Sequence, residues 1–246
     1  MSTRPRAILI HSGGFSSRQW RRLAEGLAPT HEVIAPDLIG YGAARAWPTG
    51  KPFHFRQDVA ALESLLDEPA HLVGHSYGGL IALHLALARP AAIRSLALYE
   101  PVAFGVLDEP ADHEAREALD VVSRDFGDGE AWLAQFVNWW NGPNAWAALP
   151  AETQASFRAV GWKLFQEVIT LMEDPTDRAT YATIAAPTLL LGGERSPFPE
   201  KRVLEKLAAA LPSAELRWFP DAGHMGPITH SPRVNAAILA HIAANS

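Results

Sequence analysis

A serine on a tight turn is the first residue with an evident chemical use. Ser76 is the central residue of Gly74-His75-Ser76-Tyr77-Gly78, which matches the pattern G-x-S-x-G. The apolar run 71–73 before it predicts a strand, and the segment from Gly79 onwards predicts a helix. A strand that turns into a helix within a few residues strains its central residue, and flanking glycines let the backbones approach without Cβ clashes. The pattern predicts that Ser76 Oγ projects above a sheet as a nucleophile; a glycine-rich turn with an ordinary serine is the alternative.

A serine hydroxyl is a weak nucleophile, so it needs a base that takes its proton and a carboxylate that orients the base. The chain has 10 histidines that could act as this base. His224 lies in a loop directly after the last predicted strand, which puts it at the same carboxyl edge of the sheet as Ser76. His31 and His71 lie at strand starts, at the opposite edge, and His75 is expected to shape the turn. We therefore expect His224 to be the base.

The segments that must position these two residues alternate between short apolar runs and stretches of helical periodicity. This alternation is typical of βαβ units, because parallel strands need a crossover connection and usually take a helix for it. It runs from Ala7 to Tyr99 and returns from Thr188 to the end of the chain. The pattern predicts an α/β fold with a mainly parallel sheet of about six strands flanked by helices.

Between residues 101 and 186 the alternation stops, and helices alone are predicted, over 112–126, 129–140, 150–171 and 176–184. We expect an α/β core of residues 1–100 and 187–246, with a helical cap, residues 101–186, inserted between two strands. Five of the eight tryptophans lie in this insertion: Trp132, Trp139, Trp140, Trp146 and Trp162. Each ring could simply pack helices together, but an aromatic insertion at the carboxyl edge of a parallel sheet is also where an apolar pocket would be covered. The predicted pocket residues are Trp132, Trp139 and Trp140.

Composition excludes several other classes of protein. The chain has 246 residues, no cysteine, and 21 basic against 27 acidic residues for a net charge of −6. The length suits one domain with an insertion, the lack of cysteine excludes disulfides and thiolate chemistry, and the acidic balance disfavours nucleic acid as a partner. The longest apolar stretch, 80–88, is too short for a membrane span, and the first residues lack the core of a signal peptide. We expect a cytoplasmic protein that acts on a small molecule, with no membrane or nucleic-acid partner; monomer and homodimer both stay open.

Motifs for metals and dinucleotides are missing as well. The sequence contains no H-E-x-x-H metal motif and no G-x-G-x-x-G dinucleotide motif. We therefore expect no metal and no cofactor.

Four segments together resemble the α/β-hydrolase family. The serine turn and the loop that carries His224 are two of them. Residues 8–17 resemble the family's H-G-x segment, although Ser12 replaces the usual glycine, and residues 36–42 resemble its D-x-x-G-x-G loop. The resemblance spans nearly the whole chain and implies the family's order of serine, acid and histidine. The first two strands usual in the family are missing, so the sheet is expected to begin at the family's third strand.

The resemblance implies an oxyanion hole made of backbone N–H groups. The N–H of Tyr77, at the start of the helix, and that of Gly13 or Gly14, on the first loop, would point at the oxygen that gains charge in the tetrahedral intermediate. One such donor contributes about 3 to 4 kcal/mol to the transition state. Since the donors belong to the main chain, side-chain substitutions there would act through geometry.

The carboxylate that orients the histidine is where the chain departs from the family pattern. The family usually carries an Asp in the loop after the strand 188–191, three residues beyond a glycine, and that position is Ser196 here. Glu100, at the end of the preceding strand, and Glu194, in the same loop as Ser196, are the two replacements. From the nucleophile, a helix of about 13 residues and a strand of about 6 residues each cover roughly 20 Å, so Glu100 should return to the level of the nucleophile. The Tyr99-Glu100 ending of this strand resembles that of haloalkane dehalogenases and certain lipases in the family, which place the acid after this strand. We therefore expect Glu100 to be the acid, with Glu194 as the alternative.

Together these residues predict a serine hydrolase. Ser76 would attack a carbonyl, His224 would take and return the proton, and water would hydrolyse the acyl-enzyme. The aromatic cap and the lack of an Arg or Lys cluster favour a small, fairly apolar ester, lactone or related carbonyl substrate. C–C bond hydrolysis, acyl transfer and perhydrolysis on the same triad stay open. So does a non-catalytic small-molecule binder or receptor on the same fold, which Ser196 and Ser12 would suit.

Overall fold

The computed structural model describes residues 4–120, 122 and 124–246. Within these residues, six strands form one all-parallel sheet in the order β2-β1-β3-β4-β5-β6. The strands are β1 (Arg6–Ile10), β2 (Glu32–Ile34), β3 (Ala70–His75), β4 (Ile93–Tyr99), β5 (Thr188–Gly193) and β6 (Ala214–Phe219). The predicted α/β architecture is confirmed. Because all the strands run in the same direction, the loops that follow them meet at one edge of the sheet.

Helices connect the strands and cover the sheet. They are α1 (Arg21–Leu27), α2 (Arg56–Glu63), α3 (Tyr77–Ala88), α4 (His113–Leu119), α5 (Glu130–Asn141), α6 (Ala145–Ala148), α7 (Ala151–Met172), α8 (Arg178–Tyr181), α9 (Phe198–Ala210), α10 (Gly226–Thr229) and α11 (Ser231–Ala244). None of these described helices is both long and apolar enough to cross a membrane.

Two hydrophobic cores lie on the two faces of the sheet. Since successive strand side chains point to opposite faces, Ile8 and Ile10 join one core with α2, α3 and α9, whereas Ala7 and Leu9 join the other with α1 and α11. Both faces of the four central strands β1, β3, β4 and β5 are therefore mostly buried, which explains their nearly continuous apolar runs, whereas the edge strand β6 alternates polar and apolar residues.

A helical insertion between β4 and β5 comprises α4 to α8, and a third core of buried aromatic and aliphatic side chains holds it together. The predicted helices over 129–140 and 150–171 correspond to α5 and α7 within one residue at each end. The prediction over 112–126 is too long, because α4 ends at Leu119; residues 121 and 123 of that range lie outside the described ones. The prediction over 176–184 is also too long, since Asp177 caps α8 by accepting a hydrogen bond from Thr180 N–H, and the helix ends at Tyr181. Helix α6 has no counterpart in the predictions.

Candidate active site

The serine turn has the strained geometry that its sequence predicts. Ser76 joins β3 directly to α3 with φ 54° and ψ −118°, in the left-handed half of the Ramachandran plot. A Cβ on Gly74 would lie 2.5 Å from the carbonyl oxygen of Gly78, and one on Gly78 would lie 2.3 Å from the carbonyl oxygen of Ile10. Both positions therefore require glycine. The turn places Ser76, 7% exposed, at the carboxyl edge of the sheet.

Ser76, His224 and Glu100 form one continuous hydrogen-bond chain. Oγ of Ser76 lies 2.9 Å from Nε2 of His224, and Nδ1 of His224 lies 2.7 Å from Oε2 of Glu100. A carboxylate can only accept, so Nδ1 carries a proton and Nε2 is the nitrogen that accepts the proton of the serine. All three side chains are buried. The arrangement can activate a hydroxyl for attack on a carbonyl carbon.

Glu100 is placed by the end of β4, whose register pairs Tyr99 with His75 of β3. Its backbone adopts φ 45°, and its side chain is fully buried. Oε1 accepts hydrogen bonds from Gly193 N–H at 2.7 Å and from Ser196 Oγ at 2.6 Å, in addition to the histidine on Oε2. Three donors thus compensate for the burial of the carboxylate. Glu194, the alternative acid, is exposed on the loop after β5.

A second buried carboxyl lies close to this acid and was missed in the sequence. Glu200, in the first turn of α9, is fully buried, and neither of its carboxyl oxygens has a hydrogen-bond partner among the described residues. Burial, and then the charge of Glu100, raise the pKa of Glu200 well above its usual range. Burial thus favours the neutral form of the Glu200 side chain beside Glu100.

Backbone N–H groups suited to an oxyanion lie beside the serine. Gly13 and Tyr77 both line the cavity described below, and a Cβ on Gly13 would lie 3.7 Å from Cβ of Tyr77. Over the described part of the chain, no protein acceptor takes up either of their N–H groups. Gly14 differs, since it does not line this cavity. The geometry favours Gly13 over Gly14 as the partner of Tyr77.

A relay of hydrogen bonds joins the first loop to the backbone of the histidine. Ser12 N–H donates to Oε1 of Gln19 at 3.1 Å, Nε2 of Gln19 lies 3.0 Å from Nδ1 of His75, and Nε2 of His75 lies 2.8 Å from the carbonyl oxygen of His224. Since the carbonyl only accepts, the proton of His75 is on Nε2, and Nδ1 accepts from the amide of Gln19. Burial, and then the charge of His224, lower the pKa of His75 well below its ordinary value. His75, which was expected to shape the turn, thus contacts the backbone carbonyl of His224. Nothing in the sequence indicated the part that Gln19 has in this relay.

A buried ionic cluster lies next to the proposed oxyanion residues. Nζ of Lys163, on α7 of the insertion, lies 2.9 Å from Oδ2 of Asp58 on α2 and also contacts Oε1 of Glu167. The hydroxyl of Tyr77 donates to Asp58 at 2.8 Å, and that of Tyr41 donates to Glu167 at 2.7 Å. Burial raises the pKa of Glu167 to about 7, although Lys163 opposes this effect. The cluster ties the insertion to the core. Lys163 and Glu167 are neighbours on α7, but their contacts with Asp58 and Tyr41 join residues that are remote in sequence, so no local pattern indicated them.

An apolar cavity of about 320 Å³ opens above the triad. Its floor contains Ser76 and His224, and the insertion supplies most of its walls. Ile228, on α10, lines the cavity and is 41% exposed, so it marks the mouth. The apolar lining residues are Phe15, Val102, Phe104, Leu119, Val122, Phe136, Val137, Trp139, Trp140, Ala145, Leu149, Phe157, Leu164, Val168, Leu171, Met172, Met225 and Ile228.

The three tryptophans predicted for the pocket separate into two groups. Trp139 and Trp140 line the cavity, and the indole of Trp140 stacks on His224 with ring centroids 3.7 Å apart. Trp132 does not line it; its ring packs against Phe136 and Phe165 in the core of the insertion. Residues 132 and 139 are seven apart and share nearly the same face of α5, so the separation is along the helix axis: Trp132 lies about 10 Å nearer the start of α5, beside Phe165 of α7. No group of three or more metal-ligating side chains occurs in the described residues.

The chain is similar over nearly its whole length to known hydrolases. The model of the Alpha/beta hydrolase family matches residues 7–237. The chain is 30% identical to the pimeloyl-[acyl-carrier protein] methyl ester esterase of Chromobacterium violaceum, over 97% of this chain and 94% of that protein. It is 31% identical to lipase LipV of Mycobacterium tuberculosis, over 96% and 93%. Among solved structures, an alpha/beta hydrolase enzyme from a Medee basin deep-sea metagenome superposes with a TM-score of 0.77 at 20% identity, over 99% of this chain and 90% of that one.

Proposed function

The chain belongs to the alpha/beta hydrolase family, and on that premise we propose that it cleaves a small, fairly apolar ester or lactone through an acyl-enzyme on Ser76. Its similarity over nearly the full length to an esterase and a lipase makes it an esterase- and lipase-like hydrolase. The proposal therefore concerns its nucleophile and its substrate. The observation that carries it is the hydrogen-bond chain from Ser76 through His224 to Glu100 at the floor of an apolar cavity.

Acylation begins when the substrate carbonyl lies over the serine. Ser76 Oγ forms a bond to the carbonyl carbon while its proton moves to Nε2 of His224, and the carbonyl π electrons move onto oxygen. The N–H groups of Tyr77 and Gly13 stabilise the resulting oxyanion, helped by the amino-terminal end of the α3 dipole. Glu100 holds Nδ1–H and stabilises the imidazolium. His224 then returns its proton to the leaving alkoxide as the carbon–oxygen bond breaks.

Deacylation repeats the same steps with water as the nucleophile. His224 takes a proton from water, hydroxide adds to the acyl carbon, and the collapse of the intermediate gives the carboxylic acid and returns a proton to Ser76. No further group is needed for either half of the reaction, because the charge changes occur on the histidine and at the oxyanion site.

The walls of the cavity support the substrate class. Apolar atoms form nearly all of the lining surface of the cavity. The part of the lining that covers Ser76 and His224 comes from residues 101–186, which we propose act as a cap. Among the described residues, no Arg or Lys side chain lines the cavity, and the one acidic wall residue, Glu167, is paired with Lys163. A carboxylate on the substrate would therefore lose its hydration without gaining a partner.

Labelling with a fluorophosphonate tests the nucleophile. We expect one covalent adduct per chain, located on Ser76 by peptide mass, and loss of both the adduct and ester turnover in Ser76→Ala. Ser213→Ala, at an exposed site before β6, serves as the matched control and should keep both. An unlabelled wild-type protein together with unchanged turnover in Ser76→Ala would overturn the proposal.

A pair of esters of equal acyl length tests the substrate class. We expect kcat/KM for p-nitrophenyl butyrate to exceed that for p-nitrophenyl hemisuccinate by about tenfold or more, because only the second places a carboxylate in the apolar cavity. Equal values would contradict an apolar preference while leaving the nucleophile unaffected.

A further inference from the structure

The insertion contributes an aromatic ring to the face of the catalytic histidine. The indole of Trp140 and the imidazole of His224 have centroids 3.7 Å apart and planes inclined by only 20°. This is van der Waals contact between two π faces. The two residues are separated by more than eighty positions in the chain and come from different parts of the fold, α5 and the loop after β6.

Neighbouring aromatic rings hold Trp140 in this orientation. Trp139 packs edge-on against it, with centroids 4.5 Å apart and planes at 90°, and Phe136 lies one helical turn earlier at 6.4 Å and 72°. On the other face of α5, Leu133 and Val137 are buried in the core of the insertion. The ring is thus positioned by packing on both sides of the helix.

We propose that Trp140 is a catalytic residue, whose π face stabilises the imidazolium that His224 becomes during each proton transfer. This inference rests on the proposed function, because it requires His224 to be the base. The face of an indole ring is electron-rich and attracts a cation within about 6 Å of its centroid, whereas a neutral imidazole gains only dispersion. The attraction therefore appears as the proton leaves Ser76 Oγ for Nε2.

The other groups around His224 do not stack on the face of its imidazole, so Trp140 is the neighbour placed to stabilise the imidazolium through that face. Ser76 and Glu100 occupy the two ring nitrogens, both in the plane of the imidazole. The ring of His75 lies 5.1 Å away and tilted by 47°, and it is neutral because of its burial, so it adds no repulsion. The stacked face of the imidazolium is supported by Trp140.

An interaction that strengthens only as charge forms raises kcat and leaves KM nearly unchanged. A wall that merely shapes the cavity would instead change KM, or change both constants when its size is altered. The two roles can therefore be separated by a change in the π electrons of Trp140 that keeps the size of its ring.

Site-specific incorporation of mono-, di-, tri- and tetrafluorotryptophan at position 140 makes that change, because fluorine withdraws π density and is close to hydrogen in size. We expect kcat for p-nitrophenyl butyrate to fall stepwise with each fluorine, by about 3- to 30-fold over the series, with KM within about twofold. The same series at Trp162, whose indole donates to the carbonyl of Lys51 away from the cavity, is the control and should leave kcat unchanged.

The outcomes distinguish this inference from the proposed function. A constant kcat across the series at position 140, in protein that still forms the Ser76 adduct, would overturn the role of Trp140 and leave the hydrolase proposal standing. Absence of the Ser76 adduct in wild-type protein whose turnover survives Ser76→Ala would overturn both. Trp140→Phe and Trp140→Leu extend the series: the first should keep more of kcat than the second, since only phenylalanine retains a π face, and equal losses would count against the proposal.

Discussion

Ser196 Oγ donates a 2.6 Å hydrogen bond to Oε1 of Glu100. The N–H of Gly193, the last residue of β5, and Ser196 in the loop after it thus both donate to a carboxylate that is carried by the end of β4. A second carboxylate at position 196 would place two like charges within hydrogen-bond distance in a buried site. A serine at position 196 is therefore compatible with the proposed role of Glu100 as the acid that orients His224, and this would explain why the chain departs from the family pattern here.

Glu100→Gln should lower kcat for an ester substrate by about 10³- to 10⁴-fold, because an amide neither stabilises the imidazolium nor enforces the correct tautomer. Steady-state kinetics with p-nitrophenyl butyrate measure the effect. Glu194→Gln is the control and should behave as wild type, since its side chain is exposed. Full activity in Glu100→Gln combined with a large loss in Glu194→Gln would reverse the assignment.

Ser196→Ala should lower kcat by about 5- to 30-fold, because the buried carboxylate of Glu100 loses one charge-assisted hydrogen bond worth roughly 1 to 2 kcal/mol. Ser196→Asp should have a lower kcat than Ser196→Ala and should unfold at a lower urea concentration, since it adds a carboxyl beside Glu100. Activity in the aspartate variant equal to wild type would mean that the two acids are interchangeable, contrary to the geometry.

Gln19→Glu should lower kcat by about tenfold, because it replaces the amide donor that faces Nδ1 of His75 with an acceptor while keeping the side-chain shape. Long-range ¹H–¹⁵N NMR spectra report the protonation of His75 directly. We expect the Nε2–H tautomer in the wild-type protein and protonation of both nitrogens in the variant. A wild-type spectrum with the proton on Nδ1 would contradict the relay.

The buried carboxyl of Glu167 should make stability depend on pH. Its pKa is raised from 4.5 to about 7, so between these values the folded chain keeps a proton that the unfolded chain has lost. Its contribution is complete below about pH 4.5 and disappears as the pH rises through 7. The excess unfolding free energy of wild type over Glu167→Gln should therefore decrease by about 1 to 3 kcal/mol between pH 5 and pH 8.

Urea titrations of both proteins at each pH measure this difference. The buried histidines His11 and His71, whose pKa values are lowered to about 4, favour the folded state as the pH rises and so act in the opposite direction. They are present in both proteins, and the subtraction removes them. A difference that is constant or that grows with pH would contradict the raised pKa of Glu167.

Local patterns in the sequence were sufficient for the parallel sheet, the serine turn and the place of the insertion. Alternating apolar runs and helical periods predict βαβ units because side-chain periodicity follows directly from backbone geometry. The need for glycine at positions 74 and 78 could also be inferred from sequence, since a strand-to-helix turn leaves no room for a Cβ at either position. Glu100 could be placed beside the serine because helix and strand lengths determine where a crossover returns.

Tertiary packing alone decided the contacts between residues that are remote in the chain. The hydrogen bond from Ser196 to Glu100, the ion pair of Lys163 with Asp58 and the stacking of Trp140 on His224 each join different elements. Sequence periodicity says which face of a helix is apolar, but the rotation and approach of two elements depend on the shapes of all the side chains packed between them. For this reason the tryptophans could be assigned to the insertion from sequence, while only the folded chain separates Trp140, above the histidine, from Trp132, inside the core of the insertion.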